Sequence, residues 1–206
     1  MAQVHVVRGR RIIAPEGNEI VEAARASQRV VVDLGTGDGR WLYRLARAHP
    51  DWCCIGIDAN ADAMRESSRR AARKFARGGA PNAWFVLAAV VTLPEALFSI
   101  ADEVHVQYPW GSLRQMLLAS KEDGLDRVAQ LGKHGATFQI KLNLLPQDPE
   151  NYAHLSGVYA RAGLEVERLA LLRVSPETTW GRRIGQGRTM PVLVIEGTFP
   201  FPHSSV

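Results

Sequence analysis

The stretch Val30-Val31-Val32-Asp33-Leu34-Gly35-Thr36-Gly37-Asp38-Gly39-Arg40 decides the fold. Three β-branched valines lead into Asp33, glycines follow at alternate positions, and an amphipathic segment begins at Trp41. This order predicts a buried strand that turns sharply into a helix. Glycine suits such a turn because it adopts positive φ angles, and because its missing Cβ lets a ligand lie against the backbone.

The residues around this turn indicate which ligand it holds. The G-x-G-x-x-G pattern of NAD-binding loops requires a glycine three residues after Gly37, where the chain has Arg40. Asp33 would repel a pyrophosphate and attract the ammonium of an amino acid. The pattern Asp-x-Gly-x-Gly-x-Gly resembles the first motif of class I S-adenosylmethionine (SAM) methyltransferases, and a turn without a ligand is the alternative. The resemblance implies that Asp33 lies near the methionine ammonium. It also implies that the methionine and ribose lie along Gly35, Thr36, Gly37 and Gly39.

A second carboxylate follows the next predicted strand. That strand runs from Trp52 to Asp58, so Asp58 and Ala59 come about 20 residues after the glycines, where such folds hold a ribose diol. Ala88 and Ala89 end the third predicted strand, and their small side chains admit a flat adenine ring. Plain core packing explains these two alanines equally well.

Composition limits the class of protein. The 206 residues suit one domain, 1–206, in which 1–28 form an N-terminal hairpin and helix extension. The net charge of +4 favours a polyanionic partner such as nucleic acid. No apolar leader and no run of 18 apolar residues occurs, so neither export nor membrane spanning is expected. Cys53 and Cys54 are adjacent and would face opposite sides of a strand, which fits a reduced cytoplasm.

Predicted strands and helices alternate from Arg29 onward, which indicates a parallel sheet with helices on both faces. Two short strands around Arg8-Gly9-Arg10 predict an N-terminal β-hairpin. The last two predicted strands, 164–174 and 191–199, have no predicted helix between them and should form an antiparallel hairpin at the sheet edge. The other predicted elements are strand 29–34, helix 40–48, strand 52–58, helix 61–77, strand 84–88, strand 103–108, two helices within 111–131, strand 136–143 and helix 151–162.

The fourth of these strands ends in the turn Gln107-Tyr108-Pro109-Trp110-Gly111-Ser112-Leu113. Ligands of open α/β sheets bind at the carboxyl ends of strands, so this turn should face the methyl group of the cofactor. Pro109 fixes the turn and presents Trp110, whose indole the core does not need. We predict that Trp110 stacks on a ligand, with packing as the alternative. Ser112 either caps the following helix, which is favoured, or contacts the cofactor.

A long loop from Ser175 to Thr189 joins the last two predicted strands and exceeds what a hairpin requires. Its glycines should keep it mobile, and it carries Trp180, Arg182, Arg183 and Arg188. An aromatic side chain among arginines is typical of stacking on a base with neutralised phosphates nearby. The alternative is that Trp180 pins the loop while the arginines are solvated.

Basic residues also cluster on the predicted helix 61–77. Steps of four would gather Arg65, Arg69, Arg73 and Arg77 on one stripe, with Arg70 and Lys74 adjacent. Between positions 65 and 77 the only acid is Glu66, which cannot neutralise them all. The cluster therefore predicts an anionic partner, and a solvated face is the alternative.

Three motifs together carry a more specific resemblance: residues 33–39, Pro109-Trp110-Gly111-Ser112-Leu113 and Trp180-x-Arg182-Arg183. They are similar to those of the aminoglycoside-resistance 16S rRNA methyltransferases that modify N1 of adenine 1408, the kanamycin-apramycin resistance family. The likeness covers nearly the whole chain, although Met190 stands where that family leads us to expect an arginine. It implies that Pro109, Trp110 and Trp180 hold a flipped adenine between two indoles. It also implies contacts to rRNA phosphates from Arg69, Arg70, Arg73, Lys74, Arg182, Arg183 and Arg188.

The resemblance implies a class I, Rossmann-like α/β fold with a mostly parallel seven-stranded sheet and an antiparallel last strand, beside the N-terminal β-hairpin. SAM would be the methyl donor, S-adenosylhomocysteine the product and the 30S subunit the substrate, with no metal, no membrane and a monomeric enzyme. Adenine N1 carries a lone pair and no proton, so no general base is required. Two alternatives are another SAM-dependent RNA methyltransferase, such as a tRNA guanine-N7 enzyme, and a non-catalytic RNA-binding module.

Overall fold

The computed structural model describes residues 3–15, 18–119, 124–145, 148, 151–175, 178–186 and 188–200, except for the side chains of Thr179 and Trp180. The strands are β1 Val6–Arg8, β2 Arg11–Ile13, β3 Arg29–Leu34, β4 Trp52–Asp58, β5 Ala83–Leu87, β6 Ala101–Gln107, β7 Gly132–Asn143, β8 Glu165–Val174 and β9 Met190–Thr198. The helices are α1 Glu19–Arg25, α2 Arg40–Ala48, α3 Ala61–Ala71, α4 Gly111–Leu118, α5 Leu125–Ala129, α6 His154–Arg161 and α7 Thr179–Ile184. Within these ranges no helix is both long and apolar enough to cross a membrane.

All of these strands form one sheet in the order β2-β1-β5-β4-β3-β6-β7-β9-β8. Strands β3 to β7 are parallel, and β9 runs antiparallel between β7 and β8. The predicted fold class is confirmed, including the antiparallel last strand and the N-terminal hairpin. The sheet has nine strands rather than seven because β1 pairs with β5 and thereby adds the hairpin to the sheet.

The two faces of the sheet carry separate apolar cores, as the alternation along the strands predicts. Cys53 packs in the cluster that contains buried side chains of α1, β6 and β7, and Cys54 packs in the cluster beneath α2 and α3. Both cysteines are free thiols, and burial raises the pKa of each to about 12. They therefore act as small core residues on opposite faces.

Helix α3 ends at Ala71, so the predicted helix 61–77 is six residues too long. The chain turns back at Gly79, where an added Cβ would lie 1.7 Å from the carbonyl oxygen of Arg73. Only glycine permits this approach of two backbone segments. Phe75–Arg77 form a short 3-10 turn whose outgoing backbone is held by Arg47, which donates to the carbonyls of Phe75 and Gly79.

The segment between β8 and β9 contains α7, so the prediction of no helix there is wrong. Thr178 caps this helix by accepting a 2.9 Å hydrogen bond from the backbone N–H of Gly181. Ile184 packs against a cluster that contains Tyr108 and Met190. Met190 is buried and fills this cluster, which joins α7 to the turn that carries Trp110.

Candidate active site

A cavity of about 580 Å³ opens at the carboxyl edge of strands β3, β4, β5 and β6. This volume is within the range of small-molecule sites. Most of its wall comes from the ends of these four strands and from the segments that follow them, and Thr178 joins from the start of α7. The described lining residues are Asp33, Leu34, Gly35, Thr36, Gly37, Asp38, Trp41, Ile57, Asp58, Ala59, Ala88, Ala89, Val90, Val91, Gln107, Tyr108, Pro109, Trp110, Gly111, Ser112, Leu113, Met116 and Thr178.

Asp33 is a buried carboxylic acid in the cavity wall, with only 3% of its surface exposed. Its Oδ2 accepts a 2.6 Å hydrogen bond from the Thr36 hydroxyl, while Oδ1 has no partner among the described residues. Burial raises the pKa of Asp33 to about 7. The Thr36 hydrogen bond opposes this shift, and the carboxylates of Asp58 and Asp38 add to it. A cation beside Oδ1 would satisfy the orphaned oxygen and favour the ionised form.

The glycine loop lies against the cavity in left-handed backbone conformations. Gly37 has φ +57°, and an added Cβ would meet nothing within 4 Å, so the loop surface is open there. At Gly35, with φ +73°, an added Cβ would lie 2.6 Å from a Leu113 methyl carbon, so glycine also lets α4 approach the loop. Gly35 and Gly37 thus provide the backbone surface that the sequence predicts for a ligand.

Gly39, which was predicted to lie along the cofactor, is not among the described residues that line the cavity. An added Cβ would lie 2.5 Å from the Phe85 ring and 3.3 Å from the Ser67 Cβ. Gly39 begins α2 as its N-cap residue with φ +64°. Its glycine is therefore required by the packing of α2 against β5 and α3.

Asp58 ends β4 with both carboxylate oxygens held by backbone donors. Oδ2 accepts 2.8 Å from the Gly37 N–H and Oδ1 accepts 2.8 Å from the Asn60 N–H. Asn60 in turn caps α3 through the backbone of Asp62 and Ala63. Each carboxylate oxygen can accept a second hydrogen bond, so a fixed pair of acceptors remains available to a ligand diol.

The wall beyond β5 is apolar and follows Ala88 and Ala89 into a 3-10 turn. The Thr92 hydroxyl accepts from the Ala89 N–H and donates to the Ala89 carbonyl, each over 3.2 Å, so Thr92 holds this turn together. Val91 is 71% exposed at the rim. The small side chains and the apolar rim leave room for a flat ring, as the sequence predicts.

The turn between β6 and α4 presents an indole at the opening of the cavity. Tyr108 is buried with φ +53°, and its N–H donates 2.8 Å to the Lys141 carbonyl. Pro109 and Trp110 follow in the cavity wall, and Trp110 is 59% exposed. The predicted exposed indole at a strand end is therefore present. The favoured prediction that Ser112 caps the following helix is wrong, because α4 begins at Gly111 and its N-cap residue is Trp110. Ser112 lies in the first turn of α4 and lines the cavity.

The second predicted tryptophan, Trp180, has its backbone in α7, and its side chain lies outside the described part of the chain. Thr178, two residues earlier, lines the cavity. The chain at Trp180 therefore lies near the cavity that Trp110 borders. Arg182, Arg183 and Arg188 are exposed.

The basic cluster is divided between α3 and the turn after it. Glu66 pairs with both Arg69 and Arg70, whose hydrogen bonds hold the pKa of Glu66 below its usual value. Arg65 pairs with Asp62, an acid that precedes the cluster in the sequence. Arg73 and Lys74 lie beyond the helix and are exposed, so the continuous four-residue stripe does not form.

The lining residues that were not predicted as site residues include Trp41, Gln107 and Thr178, although Gln107 belongs to the turn that was expected to face the cofactor. Trp41 is the second residue of α2, directly after the glycine loop, and this position was a usable signal. Gln107 is a polar residue at the end of an apolar strand, which was a second signal. Thr178 was recognisable as a helix cap only once a helix was expected after it.

Comparisons with known proteins agree with this geometry. A family model described as NpmA: 16S rRNA (adenine(1408)-N(1))-methyltransferase matches residues 5–199. The 16S rRNA (adenine(1408)-N(1))-methyltransferase of Streptoalloteichus tenebrarius is 35% identical over 217 residues, which cover 92% of this chain and 98% of the relative.

Two solved structures of similar proteins extend the match to three dimensions. A tryptophan-to-alanine mutant of the 16S rRNA (adenine(1408)-N(1))-methyltransferase from Catenulisporales acidiphilia with cosubstrate SAM has a TM-score of 0.91 at 32% identity, covering 98% of this chain and 100% of the other. The aminoglycoside resistance methyltransferase NpmB1 has a TM-score of 0.78 at 34% identity, covering 95% and 100%.

Proposed function

The chain belongs to the 16S rRNA (adenine(1408)-N(1))-methyltransferase family, and we propose that its cavity holds SAM while two tryptophans hold the target adenine. The enzyme transfers the SAM methyl group to N1 of adenine 1408, the modification that gives aminoglycoside resistance. The observation that carries this conclusion is a match over residues 5–199 that includes every turn around the cavity. The alternatives of a tRNA guanine-N7 enzyme and of a non-catalytic RNA-binding module are thereby set aside.

The residues of the cavity fit SAM in chemical terms. The orphaned Oδ1 of Asp33 suits the methionine ammonium, and the open face at Gly37 suits a close-lying methionine or ribose. Asp58 offers two fixed acceptors for the ribose hydroxyls, and Ala88 and Ala89 give the adenine ring a flat apolar wall. When bound, SAM supplies an electrophilic methyl group on a sulfonium sulfur.

We propose that Trp110 and Trp180 enclose the flipped adenine at the opening of this cavity. Trp110 is exposed at the rim, and Thr178 brings the start of α7 to the same cavity. Flipping a base costs a few kcal/mol, and stacking contributes roughly 1 to 3 kcal/mol per base, so two indoles offset the cost. The methylated base is cationic, which the indole faces also favour.

Methyl transfer to adenine N1 depends on the orientation of the two reactants more than on proton transfer. Adenine N1 presents an in-plane lone pair and no proton, so the attack needs no general base. Alignment of N1 with the bond that breaks supplies several kcal/mol. Pro109 and the buried Tyr108 give the Trp110 turn the rigidity that this alignment requires.

We propose that the 30S subunit docks on a set of exposed basic residues. These residues come from α3, from the turn after it and from the α7 segment: Arg69, Arg70, Arg73, Lys74, Arg182, Arg183 and Arg188. Arg73 and Lys74 are the stronger candidates because Arg69 and Arg70 share Glu66. We further propose that one copy of the chain, as a single domain in the bacterial cytoplasm, carries the whole site without a metal.

The experiment that tests the function is modification mapping on intact 30S subunits. Subunits incubated with the protein and SAM should give a primer-extension stop at adenine 1408, and mass spectrometry of the excised fragment should place one added methyl at N1. Omitting SAM is the control for the stop. A stop at another nucleotide, or modification of tRNA in preference to 30S subunits, would contradict the assignment.

A further inference from the structure

Gln107 is a buried amide in the cavity wall that the protein leaves without a partner. It is the last residue of β6 and is 8% exposed. Neither Oε1 nor Nε2 has a hydrogen-bond partner among the described residues, and both atoms are shielded from bulk water. Buried amides in native proteins are nearly always hydrogen-bonded, so a partner from the cavity is expected.

The register of the sheet brings Gln107 close to Asp33. Asp33 on β3 lies opposite His105 on β6, and Gln107 is two residues beyond His105. Residues two apart on a strand point to the same face, so Asp33 and Gln107 share one face of neighbouring strands. Asp33 Oδ1 also lacks a partner among the described residues, and both side chains line the cavity. Two unsatisfied polar groups therefore lie diagonally across neighbouring strands at this end of the site.

The chemistry of these two groups complements an amino acid. A carboxylate such as that of Asp33 only accepts hydrogen bonds, which suits an ammonium but not a carboxylate of a ligand. A carboxamide both donates and accepts, so Gln107 supplies a side-chain donor as well as an acceptor at this end of the cavity. The terminal torsion of glutamine is soft, so the amide turns toward a ligand at little cost.

We propose that Gln107 binds the α-amino-carboxylate of SAM beside Asp33, donating from Nε2 to the carboxylate and accepting at Oε1 from the ammonium. The proposal rests on the proposed function and names a further cofactor-binding residue for it. The affinity for ligands that carry the amino-acid group should therefore depend on Gln107. The affinity for ligands that lack this group should not.

A role in reading the target adenine is less compatible with the position of Gln107. The base enters at the rim, where Trp110 is 59% exposed, whereas Gln107 is buried at the strand end. A donor placed on adenine N1 would also occupy the lone pair that must attack the methyl group. The amide is therefore better suited to the cofactor than to the base.

The test compares ligands with and without the amino-acid end by isothermal titration calorimetry. Gln107→Leu should weaken binding of SAM and of S-adenosylhomocysteine at least tenfold, while binding of 5′-methylthioadenosine, which lacks the amino acid, should change less than twofold. The matched control is Gln139→Leu, because Gln139 lies outside the cavity wall and donates 2.7 Å to Glu196. This control should leave the affinity for all three ligands unchanged.

Other outcomes are distinguishable. If Gln107→Leu weakens 5′-methylthioadenosine as much as SAM, the effect is a change in cavity shape, and the proposal is overturned. Unchanged SAM affinity with a raised KM for 30S subunits would overturn it in favour of base reading. Gln107→Glu, which preserves size but adds a negative charge, should weaken SAM binding at least as much as Gln107→Leu. Failure of the unmutated protein to bind either SAM or 5′-methylthioadenosine would instead refute the proposed function.

Discussion

The backbone N–H of Gly37 donates a 2.8 Å hydrogen bond to Asp58 Oδ2, which joins the glycine loop after β3 to the end of β4. Asp58 also accepts from the Asn60 N–H over 2.8 Å, so one carboxylate fixes two turns at once. The loop proposed for the methionine and the acceptor proposed for the ribose are thus parts of one hydrogen-bonded unit. A change at Asp58 should therefore act on both halves of the cofactor site.

We expect Asp58→Ala to reduce SAM affinity about 10- to 100-fold. Hydrogen bonds to charged groups contribute roughly 1.5–3 kcal/mol each, and the substitution removes the ribose acceptors together with the anchor of Gly37. Calorimetry with SAM measures the loss. Asp51→Ala, at an exposed turn before β4, is the matched control and should bind SAM normally. Normal SAM binding by Asp58→Ala would refute the ribose assignment.

We expect SAM affinity to rise as the pH increases toward 7. Burial raises the pKa of Asp33 to about 7, so below that pH the carboxyl is protonated and must lose its proton to pair with the SAM ammonium. One linked proton gives roughly a tenfold gain in affinity per pH unit on the acid side. Above a pH of about 8 the α-amino group of the ligand loses its charge, and affinity should fall again. Calorimetry with SAM from a pH of about 5.5 to about 9 measures both the rise and the fall in affinity.

Asp33→Asn is the control for this profile. It keeps an acceptor for the Thr36 hydroxyl but cannot ionise, so the rising acid limb should disappear while the alkaline limb remains. The substitution also has a stability readout without SAM. Because the folded-state pKa of Asp33 is raised, its ionisation costs stability as the pH rises from about 4 to 7. Asp33→Asn should therefore raise Tm at pH values above about 7, and a lowered Tm there would contradict the burial argument.

The sheet and the cofactor half of the site could be predicted from the sequence because their signals are local. The run from Val30 to Arg40 contains the strand, the turn and the start of the helix, and α2 and β4 have the predicted bounds. Asp58 follows its strand directly, so its place at the same edge comes from the alternation of elements alone.

The rest depends on contacts between distant parts of the chain. Helix α3 stops early because Gly79 folds back onto Arg73 and because Arg47, from α2, holds the carbonyls of the following turn. The role of Gly39 depends on the Phe85 ring, which lies 46 positions later in the sequence. A pattern within one segment carries no information on such neighbours.

We expect the double substitution Arg73→Ala and Lys74→Ala to weaken binding to 30S subunits and to flatten its salt dependence. Both residues are exposed beyond the end of α3. Each lost phosphate contact should lower the slope of log affinity against log salt by about 1. Filter binding at several salt concentrations measures affinity and slope together.

The control for this change is Arg25→Ala in the last turn of α1. Arg25 is exposed, and α1 packs on the sheet face opposite to α3, so its removal also lowers the net charge but away from the cluster. It should leave the slope nearly unchanged. An effect of Arg25→Ala that equals the effect of the double substitution per charge removed would mean that only net charge counts, and that residues 73 and 74 form no docking surface.

We expect Trp110→Ala and Trp180→Ala each to reduce single-turnover methylation of 30S subunits at least 100-fold while SAM affinity changes less than twofold. Loss of one stacking face removes roughly 1 to 3 kcal/mol of base stabilisation and also frees the adenine to leave the attacking orientation. Trp110→Phe and Trp180→Phe retain an aromatic face and should recover part of the rate. Single-turnover rates and SAM calorimetry on all four variants separate the two effects. Full methylation by Trp180→Ala would show that α7 contributes no stacking face, whereas a parallel loss of SAM affinity in Trp110→Ala would assign that indole to the cofactor instead of the base.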